Sequence, residues 1–141
     1  MKNFKALLFI IISAISISSC VSQEETKTKC GSIMCTDEFI MVPIRLIATK
    51  SSTISFKSYK VINLAAGKQV RTKDVVRDSP ATLIIADDSN RKDFPESVQN
   101  LQLQVTRNDG RVVTANYKIG GGKCACHVSK LSGPDQVDID Q

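Results

Sequence analysis

Tryptophan is absent, histidine occurs once, and aromatic residues make up only 5% of the chain. A nucleic-acid binder would show a clustered basic stripe with aromatic side chains between the charges. Here lysine and arginine are scattered, so nucleic acid is not an expected partner. No stretch keeps a helical period, which excludes a helix bundle. No glycine-rich loop ends in Lys-Ser or Lys-Thr; Gly120-Gly121-Gly122 lacks that ending and reads as a turn between strands. The acidic stretch Asp87-Asp88, with Asp93 and Glu96, lacks the Asp-x-Asp-x-Asp-Gly spacing of a calcium loop and is expected to be a solvated loop. Lys68, Arg71, Lys73 and Arg77, interleaved with Asp74, are expected on a solvated strand face.

The long apolar run that is present stands at the front. Lys2 and Lys5 precede Ala6–Ile17, which is broken only by Ser13 and Ser16. That run is too short and wrongly flanked for a membrane span, and matches a secretory signal. Its end, Ile17-Ser18-Ser19-Cys20, resembles a lipobox. Small residues precede the cut, and Cys20 offers a thiol for a diacylglycerol. Residues 1–19 are therefore expected to be a signal peptide and Cys20 the lipidated first residue of the mature chain. Two or three acyl chains anchor stably, where one would be marginal. Lys2 and Lys5 are the only charges before Cys20, so removing them lowers the formal charge from +5 to +3. Such mild basicity suits solubility or nearness to anionic lipid.

Residues 20–29 hold no large apolar residue except Val21 and are expected to be a tether. Val21 is not the Asp that retains lipoproteins at an inner membrane. Gln23-Glu24-Glu25 resembles an acidic surface-export tag. The expected location is the outer membrane, on its cell-surface face in preference to its periplasmic face.

Residues 30–141 suffice for one core and are too few for two. With Cys20 taken by lipid, Cys30, Cys35, Cys124 and Cys126 remain. Four cysteines in an exported chain imply two disulfides, with three pairings open. Cys124 to Leu131 reads as a strand. Side chains two apart on a strand run parallel, with Cα atoms about 6.5–7 Å apart, at or beyond bridging range. Two bridges from front to back are therefore expected, the partner of each front cysteine staying open.

Short apolar stretches separated by turn residues predict seven or eight strands in a single antiparallel β-sandwich, immunoglobulin-like or prealbumin-like. Residues 38–49 alternate, with Ile40, Val42, Ile44, Leu46 and Ala48 on one face. Pro43 lacks an amide donor and predicts an edge strand or a bulge. Phe56–Leu64, Gln69–Val76 and Ala81–Ala86 follow as strands, then a polar excursion over 87–100 with room for one helical turn. Leu101, Leu103 and Val105, then Asn108-Asp109-Gly110, then Val113, Ala115, Tyr117 and Ile119 form a hairpin. A two-residue loop would put the apolar sets on opposite faces. A three-residue loop pairs Val105 with Val113, Leu103 with Ala115 and Leu101 with Tyr117, with Gly110 left-handed. Gln136–Ile139 ends the fold.

Cys35-Thr36-Asp37-Glu38-Phe39 near the front, and Cys124-Ala125-Cys126-His127-Val128 with Ser132-Gly133-Pro134 near the back, resemble the end motifs of a family of small Bacteroidetes-type lipoproteins. Ala125 between the two cysteines departs from that pattern. The resemblance implies a β-sandwich and supplies no catalytic residue to carry over; no cofactor is expected. Partners would be the membrane, through the lipid, and an envelope protein or glycan. The chain is thus expected not to be an enzyme. The alternative is a small exported hydrolase or a metal site built around Cys124-Ala125-Cys126-His127. In a regular strand His127 would point away from the cysteines, beside Ala125 and Ser129. A polar cluster converging on His127 would favour the alternative; an isolated His127 would favour the binding module.

Overall fold

The computed structural model describes residues 30–73, 81–94 and 98–141. The expected signal, Cys20 and the tether lie outside those residues, as do Asp74, Arg77, the end of the strand expected to Val76, the Ser79-Pro80 break, Pro95 and Glu96. Among the described residues, eight strands form two facing sheets, an all-β sandwich. Among the described residues no helix is long and apolar enough to cross a membrane.

The smaller sheet is built on β1 (Met41–Ile47), whose Val42, Ile44 and Leu46 are buried while Pro43 and Arg45 face out. β4 (Thr82–Asp87) pairs antiparallel on one side of β1, and β8 (Gln136–Asp138) pairs on the other. The β1–β8 pairing is parallel, so the sandwich is not wholly antiparallel. β1 is also the central strand, and the expected Pro43 bulge falls between Val42 and Pro43. Both are compatible with proline because β8 pairs only from Arg45 onward. At Pro43 the strand has one neighbour, so its missing amide deprives no second ladder.

The larger sheet runs β3 (Lys68–Val70), β2 (Ser58–Asn63), β5 (Gln99–Thr106), β6 (Val112–Gly120), β7 (Ser129–Ser132), all antiparallel. The hairpin register is the one the apolar faces require: Val105 opposes Val113, Leu103 opposes Ala115 and Leu101 opposes Tyr117. The Arg107 amide donates to the Arg111 carbonyl at 2.8 Å, which closes a three-residue loop. Gly110 has φ 85°, the left-handed value that favours glycine.

Leu46, Leu83, Ile85, Leu101, Leu103, Val105 and Ile119 are fully buried between the sheets. Asn63 takes an inward position on β2, and its Nδ2 donates to Gln99 Oε1 at 2.9 Å, so its buried amide is satisfied. Val137 and Ile139 close the core from the C-terminal end.

Three expectations need correction. The expected third strand shortens to Lys68–Val70. The expected strand from Cys124 begins only at Ser129, and residues 124–128, with a turn at Cys124 and a bend at Cys126 and His127, are irregular. Gly122 precedes them, and two cysteines held toward different partners do not fit an extended ladder. The third correction is the acidic stretch. Asp87 is 0% exposed and forms no solvated loop.

Candidate functional site

Asp87 caps a 3-10 helix over Asp88–Asp93. Its side chain accepts from the Ser89 amide at 2.8 Å and from the Ser89 hydroxyl, while Asn90 Oδ1 accepts from the Asp87 amide at 3.0 Å. This reciprocal box satisfies amides that a helix start leaves open. Asp87 Oδ2 also accepts from the Lys73 amide at 2.7 Å, and Asn90 Nδ2 donates to the Arg71 carbonyl at 2.7 Å. The next residue, Asp88, is thereby fixed at the edge of the sandwich.

Asp88 joins three pieces of chain. Its Oδ2 accepts from the Ile40 amide at 2.8 Å, and its Oδ1 from the Val128 amide at 2.8 Å. His127 Nδ1 lies 2.7 Å from Oδ2. A carboxylate can only accept here, so Nδ1 carries the proton in the neutral ring and Nε2 is an acceptor. Thr36 Oγ1 is 3.0 Å from Nε2 and donates to it. Burial pushes the Asp88 carboxyl up, but hydrogen bonds from the Ile40 amide, His127 and the Val128 amide, with the charge of His127, together hold it below the usual carboxylate value.

The front segment, residues 30–39, is exposed along its length and lies over this cluster as a strap. Cys30 is bonded to Cys124 and Cys35 to Cys126, each pair with Cα atoms 5.2 Å apart. The bridges run front to back, as expected, and in sequence order. Opposite the strap, Arg91 Nη1 donates to the Ala125 carbonyl at 2.7 Å and the Cys126 carbonyl at 3.1 Å. Buried Val128 roots the far end of that turn in the core.

Sequence reasoning brought the four cysteines together and missed Thr36 and Asp88 as partners of His127. It set Ser129 beside His127; Ser129 instead begins β7, with its hydroxyl against Gly120. The one local signal available was the capping pattern Asp87-x-x-Asn90. Lys68, Arg71 and Lys73 are exposed, as expected, although only Lys68 lies in a strand. All four sulfurs of residues 30, 35, 124 and 126 sit in disulfides, so none remains as a thiolate for a metal.

A cleft of about 470 Å³ opens where Thr36, Phe39, Asp88, Arg91 and His127 meet. A second, of about 490 Å³ beside β3, has no histidine, cysteine, serine or threonine among the described residues that line it. Of these two clefts, the first is the one that brings a hydroxyl and a base together.

Four depressed carboxylates give an acid limit. At Asp138 the Thr49 hydroxyl is the main cause, at Asp140 the Lys50 amide and at Asp109 the Arg111 side chain; Asp88 is the fourth. A carboxyl held below its unfolded value stabilises the fold fully above that value. Its contribution disappears as pH falls through the folded value. The melting temperature is expected to drop below about pH 4, the unfolded carboxylate range. A thermal-melt series from pH 7 to 2 checks this; a melting temperature that holds or rises below pH 4 would contradict it.

No protein-family profile, curated protein or solved structure matches the chain.

Proposed function

We propose that this chain is a lipid-anchored outer-membrane lipoprotein of the Bacteroidetes-like kind. Its sandwich would be a non-catalytic binding or structural module of the cell envelope. The observation that carries this reading is the strap. The segment that directly follows the tether is bonded at Cys30 and Cys35 to the turn at 124–126. Such bridges persist in oxidising compartments and are rare in the cytosol, which supports export. Cys30 lies ten positions after Cys20. Fully extended, that stretch reaches about 35 Å, so a lipid at Cys20 would hold the domain near the membrane with the strap side leading. The partner would be an envelope protein or a glycan, met on the cell-surface face.

Cys20→Ser is expected to abolish incorporation of labelled fatty acid and to move the protein from the detergent phase to the aqueous phase. In wild-type cells, protease shaving is expected to release the domain. Label retained on the Cys20→Ser protein would end the lipoprotein reading. Full protection of the wild type in intact cells would place the domain on the periplasmic face.

A second reading, the small exported hydrolase, has its own observation. Polar groups do converge on His127: Asp88 at one ring nitrogen and Thr36 at the other. Against it, Asp88 also has a structural task, accepting two backbone amides that pin the strap and the turn. Release of product from an ester probe by the purified protein separates the two readings.

A further inference from the structure

We propose that Thr36, His127 and Asp88 form a nucleophile–base–carboxylate triad that transfers acyl groups from small uncharged esters to water. This rests on the second, hydrolase reading and not on the non-catalytic one, and it assigns the nucleophile, which lies outside the Cys124–His127 motif, on the strap.

The order of atoms is the basis. Asp88 Oδ2 is 2.7 Å from His127 Nδ1, and His127 Nε2 is 3.0 Å from Thr36 Oγ1. The carboxylate fixes the ring tautomer, which leaves Nε2 facing the hydroxyl with a lone pair. A positioned base must lie within about 2.6–3.2 Å of the proton's heavy atom, and this one does. The three groups are held from separate directions. Asp88 is held by the capped 3-10 helix, His127 by the Arg91-braced turn, and Thr36 by the adjacent Cys35–Cys126 bridge. The Asp88 and His127 side chains are 12% and 23% exposed, whereas Thr36 stands in the open, so the hydroxyl is the member a substrate reaches.

The chemistry balances without a further reactant except water. Thr36 Oγ attacks the ester carbonyl carbon as its proton passes to Nε2. The tetrahedral species collapses, the bond to the alcohol oxygen breaks, and the alcohol leaves with the proton from Nε2. The acyl group is then an ester of Thr36. Water attacks it, gives a proton to Nε2, and the acid departs as that proton returns to Thr36 Oγ.

The lining sets the substrate class. Among the described residues of the lining, Lys73, Arg91 and Lys92 are matched by Asp37, Glu38 and Asp88, which favours an uncharged substrate over a charged one. Arg91 is already committed to two carbonyls. An open cleft of about 470 Å³ suits a short acyl chain.

The test uses the oxidised protein with both bridges intact and p-nitrophenyl acetate as probe. Nitrophenolate release and the mass of the Thr36 peptide are both read. Wild type is expected to carry an acetyl group on Thr36. It should also release nitrophenolate about 100-fold faster than Thr36→Ala, the lower end of what a positioned base contributes. Thr36→Ser is expected to retain the activity. Thr36 is exposed, so these variants fold as wild type does. Release unchanged in Thr36→Ala but lost in His127→Ala would overturn Thr36 as nucleophile and leave a hydrolase acting through His127. Wild-type release no faster than that of His127→Ala would overturn both.

Discussion

Replacing both Cys30 and Cys35 by serine is expected to cost the domain about 5 kcal/mol, within the usual total stability of about 5–15 kcal/mol. The bridges close separations of 94 and 91 residues. In the chain-entropy treatment the first to form contributes about 4.7 kcal/mol. Once it exists, the second closes only a small ring of strap and turn, worth about 2.5 kcal/mol. Measured losses on removing native bridges run at about 2–5 kcal/mol, hence the lower total. The single variant Cys35→Ser should cost much less than the double. Urea titration of the three proteins reads this directly. A double variant within 1 kcal/mol of wild type would show that the strap adds nothing to folding. The His127 contacts would then have to hold it alone.

Gly133→Ala is expected to cost about 3 kcal/mol, from backbone strain and overpacking together. Gly133 has φ 123°, where a side chain is strained whatever the space. There is also no space. An added Cβ would lie 2.9 Å from the Asn116 carbonyl oxygen and 2.9 Å from Tyr117 Cε1, with Tyr117 Cδ1 closer still. The carbonyl belongs to β6 and cannot swing aside. Tyr117 is buried in the core, and desolvation pushes its phenol up to about 12, so it stays neutral in its slot. Gly133→Ala should cost less in a Tyr117→Leu background than in wild type, because the ring is one of the two obstacles. A Gly133→Ala protein that melts with wild type would show that the turn after β7 relaxes freely.

Local alternation made the hairpin legible. Asn108-Asp109-Gly110 sits between two apolar series, and a slip of one residue would have turned one series to solvent. β1 was legible for the same reason, and Pro43 correctly marked a bulge. The parallel β1–β8 pairing was not, because β8 is three residues long and its partner lies about ninety residues earlier. The disulfides are a mixed case. Front-to-back bridging followed from reading Cys124–Cys126 as strand, and that premise fails. The conclusion holds for another reason: the turn offers its two cysteines one after the other to a strap running alongside. Asp88 was hidden by composition. Four acids in a polar stretch look solvated, and only the fold shows that two of them accept hydrogen bonds from segments distant in sequence.

The chain is proposed to be fixed at two levels: a lipid at Cys20, and a strap stapled in order after the tether. Mass-spectrometric peptide mapping of protein taken from its native envelope, without reduction, tests both in one measurement. The account predicts Cys20 as the diacylated first residue, a Cys30–Cys124 linked peptide and a Cys35–Cys126 linked peptide. An unmodified Cys20 within an uncleaved leader, a Cys30–Cys35 peptide, or four free thiols would contradict it.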